Sequence, residues 1–339
     1  MKLSNEELAL HDTMAQKLPE LIEEYFKRPE ISSVGVSLKI VNDELTPTLS
    51  YTFGVKKKLP LSKVSHPIPS AIFGCPTDVI EFEVQPNHLA DSETIVEASR
   101  KEKTDPLIGG ISISANGEIV HGGKEIAGSG TLGVMVNKKN DDNPYMMTCA
   151  HVLVGTTTKL DSDVCQQSKW ETTLNYCHDC ASLKSYYHQN VSFQRGSRTI
   201  DSWLDCAIAR KGWFRNATIG KVYGVGSIIG GFAVIDASII GKEVCKSGIT
   251  TEITTGNITS ITTSLRLDNF DGTEVIGNNL TMIRGKAGRF SNSGDSGSAI
   301  FTTDDSMLVG ILGGSTVSGD QAFGSPADAI LSKWPDLNF

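Results

Sequence analysis

The sequence predicts a mainly β fold in which a small α/β domain precedes two β-barrels. Helical periodicity is concentrated in residues 1–28, at the start of the chain. From residue 106 onward, short runs rich in Val, Ile, Thr and Ser alternate with turn dipeptides such as Asn116-Gly117 and Asp271-Gly272. Such a pattern is typical of barrels and sandwiches. The remaining length accommodates two barrels of roughly 100–120 residues each.

The α/β domain is predicted from residues 1–95. Ser4 and Glu7 occupy the first and fourth places of a capping box, which marks the start of a helix. Pro19 should kink or split this helix, because proline removes a backbone donor. Three runs with strand character follow, namely Val34–Val41, Thr48–Val55 and Thr77–Val84.

Composition and charge restrict the partners of this chain. Of its 339 residues, 39% are hydrophobic and 21% are charged, as in ordinary globular proteins. The net charge of −8 disfavours binding to the phosphate backbone of nucleic acids. The first residues lack the apolar core of a secretory signal, and no window reaches about 18 consecutive apolar residues. We therefore expect a cytoplasmic protein without nucleic-acid or membrane partners.

The segment Gly294–Phe301 carries the strongest chemical signal. Ser296 lies between Gly294 and Gly297, and these glycines allow the backbone to turn tightly around a nucleophile. The amides of Gly294 and Ser296 could then point at one spot and stabilise an oxyanion. A Gly/Ser-rich turn without chemistry is the alternative interpretation.

His151 and Asp205 are the candidates for a general base and for the acid that orients it. A serine hydroxyl needs a base, and His151 follows the apolar run Met146–Ala150, where a strand end would face a cleft. Asp205 interrupts the apolar run Trp203–Ala209, which is a costly position for an acid without a partner. The rival Asp201 follows a polar run, so we expect it to be exposed. Together with Ser296 they form a predicted catalytic triad.

Four segments resemble the trypsin-like serine proteases of the chymotrypsin fold, in which the triad residues follow the same chain order. The resemblance covers about residues 106–335. It implies a serine endopeptidase with a chymotrypsin-like double β-barrel, which we divide into residues 106–210 and 211–339. The segments are Thr148–His151, Leu204–Ala209, Gly294–Ser298 and, as in α-lytic and streptogrisin-type enzymes, Val244–Gly256.

The front of the chain resembles the leader domain of bacterial and plant narrow-leaf-type proteases. This resemblance implies an intracellular or organellar processing or regulatory protease that is often oligomeric. We expect no cofactor to be required. The expected partners are a protein or peptide substrate, together with further copies of the chain or a regulatory protein. The similar segments are Val34–Val36, Lys56–Leu61 and Pro76–Ile80.

Two features depart from the family pattern: the partner of the acid before the nucleophile, and one disulfide. In animal members a newly cut N-terminus pairs with the acid at the position of Asp295, but no processing site is evident here. Lys246, Arg284 and Arg289 are the alternative partners for this carboxylate. Cys245 matches a disulfide-bonded cysteine of the streptogrisins, yet no cysteine follows it in the sequence. We therefore expect that disulfide to be absent, as in a reducing compartment.

Substrate binding is predicted on one strand and on the residues shortly before the nucleophile. The strand Leu308–Ser315 should pair with the substrate backbone, as peptides do when they add a strand to a sheet. No acid occupies the positions expected at the floor of the specificity pocket. A preference for small or apolar side chains, rather than Lys or Arg, follows. The predicted substrate-binding residues are Leu312, Gly313, Gly314, Phe290 and Ser291.

Residues 160–200 are polar and rich in cysteine, and we interpret them as an insertion in the first barrel. The chain has seven cysteines, and in a cytosolic protein free thiols or metal ligands are expected rather than disulfides. Three thiolates and one imidazole would suit a structural zinc site. Free surface thiols are the alternative. The candidate zinc ligands are Cys165, Cys177, Cys180 and His188.

Other functions remain compatible with the sequence. The chain could be a latent or inactive module for protein recognition, or a protease that a partner switches on in a bacterial defence or signalling system. An esterase with the same triad is a further alternative. The presence of all three triad candidates favours an active enzyme, and the barrel pattern favours peptide substrates.

Overall fold

The computed structural model describes residues 2–85, 98–126 and 128–339. Strands dominate its regular structure, so the predicted mainly β class is confirmed. The boundary that we predicted at residue 95 lies outside the described residues. The α-helices within them are α1 (Asn5–Tyr25), α2 (Ala150–Leu153) and α3 (Ala327–Lys333).

Most strands belong to two large sheets in which antiparallel pairing prevails. The strands of the first half are β1 (Ile31–Val41), β2 (Glu44–Val55), β3 (Ala71–Ile72), β4 (Cys75–Glu81), β5 (Val84–Gln85), β6 (Leu107–Gly109), β7 (Ser112–Ala115), β8 (Ile119–His121), β9 (Lys124–Ile126), β10 (Gly130–Thr131), β11 (Val134–Lys138) and β12 (Asp141–Thr148). Those of the second half are β13 (Asp163–Cys165), β14 (Asp179–Arg195), β15 (Arg198–Lys211), β16 (Ala217–Val222), β17 (Gly231–Phe232), β18 (Glu243–Gly248), β19 (Glu252–Asp268), β20 (Glu274–Gly285), β21 (Ala299–Thr302), β22 (Met307–Thr316), β23 (Gln321–Pro326) and β24 (Leu337–Asn338).

The first sheet is formed by the middle of the chain and by the C-terminal strand. Its strand order is β10-β7-β13-β14-β15-β12-β11-β24. Strands β12 and β15 are direct neighbours, with Thr148 opposite Ala207. Because β12 ends at Thr148, the pairing brings the following residues, including His151, close to Asp205 on β15.

The second sheet joins the N-terminal residues to the last third of the chain. Strand β1 pairs with β19, with Ser33 opposite Leu265, and β2 pairs with β1 on its other side. One hydrophobic core contains Met14 of α1 together with Ile258 and Leu312. The described residues of the segment that we predicted as a small α/β domain therefore share a sheet and a core with the later strands. The pairing covers an edge of β19 that would otherwise be open.

Helix α1 begins as the sequence predicts. The Ser4 hydroxyl accepts a hydrogen bond from the Glu7 amide, and the Glu7 carboxylate accepts one from the Ser4 amide at 2.7 Å. Helix α1 runs as one element through Pro19, so the split that we predicted as one of two outcomes is wrong. The buried side chains on both sides of Pro19, including Leu18 and Leu21, offset the missing backbone bond.

The predicted insertion at residues 160–200 is largely a long β-hairpin. Strands β14 and β15 pair from Ala181 opposite Lys211 to Arg195 opposite Arg198. The tip is fixed because Arg195 donates two hydrogen bonds to the Asp328 carboxylate at the start of α3, at 2.6 and 3.0 Å. The hairpin therefore forms part of the first sheet instead of a separate loop.

No helix among the described residues is long and apolar enough to cross a membrane. The cytoplasmic location stays a prediction.

Candidate active site

The first half of the site is the pair formed by His151 and Asp205. His151 lies in α2, one short turn after β12, and Asp205 lies in the buried part of β15. The imidazole Nδ1 is 2.5 Å from Asp205 Oδ2, and the His151 amide donates a hydrogen bond to Oδ1 at 3.1 Å. The rival Asp201 is exposed and bonds to Ser192 instead. Of the two acids, Asp205 alone contacts His151.

Asp205 also contacts a second histidine that we had assigned to the zinc site. His188 Nδ1 lies 3.2 Å from Asp205 Oδ1, an ion-pair distance at which no hydrogen bond is formed. Burial alone would raise the pKa of Asp205, but the nearby imidazoles of His151 and His188 and the hydrogen bond with His151 hold it well below its usual value. The carboxylate therefore stays ionised while it orients His151.

The ring of His188 is held by aromatic neighbours. It stacks on Phe270 at 4.0 Å between ring centroids and meets Trp203 edge-on at 4.9 Å. Phe270 comes from the loop between β19 and β20, and His121 stacks on it at 4.9 Å. A sequence signal for His188 would have been the register of β14 and β15, which sets it opposite Asp205. We had predicted a loop there, so this signal was missed.

The second half of the site is the turn that holds Ser296. Gly294 and Gly297 have φ values of +94° and +92°, which side-chain-bearing residues rarely adopt. A Cβ on Gly297 would also overlap Thr148 Oγ1 and the Thr131 carbonyl. Only glycine at position 297 therefore lets the turn approach the residues that precede His151.

Thr131 of β10 fastens this turn to the first sheet. Its amide donates a hydrogen bond to the Ser296 carbonyl at 2.8 Å, and its hydroxyl donates one to the Gly294 carbonyl at 2.9 Å. Within the described part of the chain, the amides of Gly294 and Ser296 donate no hydrogen bond. These two donors remain available, as an oxyanion site requires.

The hydroxyl of Ser296 is not bonded to His151. Its Oγ lies 3.5 Å from the Gly313 carbonyl on β22, at the limit of a hydrogen bond. His151 Nε2 is buried and has no hydrogen-bond partner among the residues described. The free Nε2 is the atom that would take a proton from a nucleophile, and such contacts often tighten only when substrate binds.

Asp295 forms a buried ion pair with Lys246, one of the three partners that the sequence suggested. The distance from Lys246 Nζ to Asp295 Oδ2 is 3.1 Å, and both side chains are fully buried. The amides of Thr250, Thr251 and Asn292 also donate to this carboxylate. Burial lowers the pKa of Lys246, and the charge of Asp295 opposes that shift. The ion pair therefore holds the turn at the residue that directly precedes Ser296.

The other two predicted partners of Asp295 are engaged elsewhere. Arg284 donates to the Asp43 carbonyl at 3.1 Å, and Arg289 donates to the Ser318 carbonyl at 3.2 Å.

The predicted substrate-binding residues surround the same turn. The Leu312 amide donates to the Ser298 carbonyl, and the Leu312 carbonyl accepts from the Gly297 amide, both at 2.9 Å. Phe290 is fully buried in the hydrophobic core that also contains Leu312. The buried hydroxyl of Ser291 has no partner among the described residues. Gly313 and Gly314 follow on β22. Neither Phe290 nor Ser291 carries a charged side chain.

The four predicted zinc ligands do not come together, so this prediction is wrong for the structure. Cys165 and Cys177 form a disulfide, and a disulfide sulfur is not a thiolate ligand. Cys180 is buried, with its thiol 3.2 Å from the Val164 carbonyl, and His188 faces Asp205. The disulfide also contradicts our expectation of free or metal-bound cysteines. We had overlooked that a strand and the following loop bring residues 165 and 177 together.

Comparisons with known proteins found similarity only among solved structures. No family model and no curated protein matches the chain. Thermobifida fusca Protease A is similar at 19% identity and a TM-score of 0.45, over 69% of this chain and 97% of that one. Nocardiopsis protease is similar at 16% identity and a TM-score of 0.45, over 69% of this chain and 100% of that one. Cellulomonas bogoriensis chymotrypsin is similar at 20% identity and a TM-score of 0.43, over 69% of this chain and 98% of that one. At these identities the likeness of all three structures concerns the fold alone.

Proposed function

We propose that this protein is a serine endopeptidase in which Ser296, His151 and Asp205 form the catalytic triad. One observation carries the proposal. The ion-paired imidazole of His151 has a free Nε2, and the turn of Ser296 is fastened beside it through Thr131. A serine in a tight turn, an imidazole and a buried carboxylate are the components of nucleophilic acyl transfer.

The reaction would proceed through an acyl-enzyme. Ser296 Oγ attacks the peptide carbonyl while His151 Nε2 takes the hydroxyl proton. His151 then gives that proton to the leaving amine, and water repeats the sequence to release the acid. Asp205 holds the imidazole orientation and stays ionised, and the amides of Gly294 and Ser296 bind the developing oxyanion. A peptide substrate would lie along β22, with its scissile residue beside Gly313.

The uncharged pocket floor at Phe290 and Ser291 favours small or apolar side chains over Lys and Arg. The ion pair of Lys246 and Asp295 supports the idea that this enzyme needs no new N-terminus to shape the turn. Intracellular location, oligomerisation and a regulatory partner remain proposals, as do the domain boundaries and the likeness to narrow-leaf-type leader domains.

A fluorophosphonate probe tests the proposal, because it reacts only with a serine that a base and an oxyanion site activate. We expect labelling of the wild type and none of Ser296→Ala. Ser298→Ala is the matched control, since its hydroxyl in the same turn bonds to the Asp295 carbonyl, and it should still be labelled. Equal labelling of wild type and Ser296→Ala would exclude Ser296 as the nucleophile.

A latent protease is the second candidate, and the contact between Ser296 and Gly313 favours it. In that case a partner or a substrate would turn the hydroxyl towards His151. Folded wild type that the probe labels only after a peptide substrate is added would distinguish the latent enzyme from a constitutively active one.

A further inference from the structure

One edge of β22 continues past the nucleophile towards Ser315 and Thr316. Strand β21 pairs with this edge only as far as Ile311, opposite Ala299. The other edge of β22 is paired with β23 up to Ser315, opposite Ala322. The amide and carbonyl of Leu312 are bonded to the turn around Ser296. Beyond Leu312, the first edge is therefore the place where a peptide can add as a further strand.

Strand β5 occupies part of that place. It pairs antiparallel to β22, with Gln85 opposite Ser315 and Val84 opposite Thr316. Because Ala322 already covers one side of Ser315, β5 lies on the other side, which is the edge that β21 leaves open. The chain direction of β5 leads from Thr316 towards Gly313, and hence towards Ser296.

This direction matches the acyl side of a peptide substrate. A residue beside Gly313 has its carbonyl within reach of Ser296, because Ser296 Oγ lies 3.5 Å from the Gly313 carbonyl. Counting back along an antiparallel strand, the third residue of such a peptide faces Ser315 and the fourth faces Thr316. Those are the positions that β5 takes, about 7 Å and further from Gly313 at the usual rise of a strand.

Phe82, which lies two residues before β5, is anchored in the protein. Phe82 is fully buried in a small core with Trp203 and Phe323. The Phe82 amide donates to the Val55 carbonyl at 2.8 Å, and the Phe82 carbonyl accepts from the Ser32 hydroxyl. Val84 packs partly against the same core. The strand is therefore held at the edge of β22 by side-chain burial in addition to its short backbone pairing.

We infer that β5 occupies the binding positions of the third and fourth acyl-side residues and makes the enzyme select for peptides with two residues before the scissile bond. One edge can pair with one strand only, so a longer peptide must first displace β5. The inference rests on the proposed peptidase function and names the segment that determines its choice of substrate length.

Substrate length provides the first test. The probes are two matched mixtures of acetylated peptidyl coumarin amides, with two or four residues before the cleaved amide. In Val84→Gly the strand loses its apolar contact and gains flexibility, so kcat/KM for the four-residue mixture should rise about tenfold through a lower KM. The kcat/KM for the two-residue mixture should change little. Val234→Gly is the matched control, because Val234 is an exposed valine away from this edge, and it should behave as wild type.

A cross-link tests the position of β5 without depending on activity. Val84 and Thr316 are directly opposite in the register, so Val84→Cys with Thr316→Cys should form a disulfide that mass spectrometry detects after digestion. Val84→Cys alone should form none at this position. The oxidised double variant should cleave the two-residue mixture and reject the four-residue mixture, and reduction should restore cleavage of the four-residue mixture.

The results separate this inference from the proposed function. A missing cross-link, or an unchanged length preference in Val84→Gly, would overturn the role of β5 while fluorophosphonate labelling still supported Ser296. A cross-link in a protein that the probe never labels would leave β5 on the edge of β22 but would overturn its role in substrate selection together with the peptidase proposal.

Discussion

Two buried carboxylates stand next to the candidate catalytic residues, and their partners differ. Asp205, in the first sheet, faces the imidazoles of His151 and His188. Asp295, beside Ser296, faces the ammonium group of Lys246 and several amides. Both lie away from water, so each buried carboxylate needs partners that offset its desolvation.

The difference lies in what the partners can do. An imidazole gains and loses a proton near neutral pH, whereas a lysine paired with a carboxylate keeps its charge. Asp205 is thus suited to orienting and balancing a residue whose charge changes during a reaction. Asp295 is suited to holding a turn in one shape. The comparison predicts that changes at Asp205 reduce catalysis and that changes around Asp295 reduce stability.

The largest expected effect is that of Asp205→Asn on turnover. The amide cannot hold the imidazole in the tautomer that accepts a proton, so kcat should fall by about 10⁴-fold with little change in KM. Steady-state kinetics on a peptide amide would measure this. Asp201→Asn changes the exposed neighbouring acid and should retain full activity. Wild-type turnover in Asp205→Asn would refute the assigned role of this carboxylate.

The next effect is that of Lys246→Met on stability. The substitution leaves Asp295 buried without its cation, which should lower the free energy of unfolding by about 3–5 kcal/mol in a urea titration. Lys242→Met is the control, since Lys242 pairs with Asp304 and Asp305 at the surface and should cost less than about 1 kcal/mol. Equal losses in the two variants would mean that burial of the pair does not matter.

A smaller effect is expected for His188→Phe. The phenyl ring keeps the stack on Phe270 but removes the nitrogen that faces Asp205, so kcat should fall about tenfold, equivalent to ~1.4 kcal/mol, while KM stays constant. His188→Gln, which keeps an N–H donor, should recover part of the loss. His121→Phe alters the other ring stacked on Phe270 and serves as the control. A higher KM with unchanged kcat would point to a purely structural role for His188.

The smallest effect concerns pH and stability. Because the folded-state pKa of Asp205 is lowered, its ionised form adds stability above the unfolded-state pKa near ~3.9, and this stability is lost as the pH falls through the folded value. The unfolding free energy of wild type minus that of Asp205→Asn should therefore decrease as the pH drops below about 4. Urea titrations at several pH values would measure it, and a difference that grows on acidification would contradict the assigned sign.

Local patterns in the sequence predicted much of this molecule. The capping box at Ser4 and the many short strands follow from the residues themselves. The two glycines around Ser296 indicated a tight turn, and both have positive φ. The contact of Asp205 with His151 followed from an acid in an apolar strand, although the catalytic roles remain predictions.

The sequence failed where a contact joins residues that are distant along the chain. Lys246, Arg284 and Arg289 were equal candidates for Asp295, because nothing local distinguishes three cations. His188 was read as a zinc ligand because neighbouring cysteines suggested a metal, while the register of β14 and β15 sets it opposite Asp205.

Taken alone, the sequence determined the mainly β class, the residue types of the candidate site and their order along the chain, because these depend on short segments. The tertiary structure decided which cation neutralises Asp295, that the N-terminal strands extend the second sheet, and that β5 lies on the edge of β22. The physical reason is that strand register and side-chain burial select one pairing among many distant ones. Local propensity carries no information about that selection.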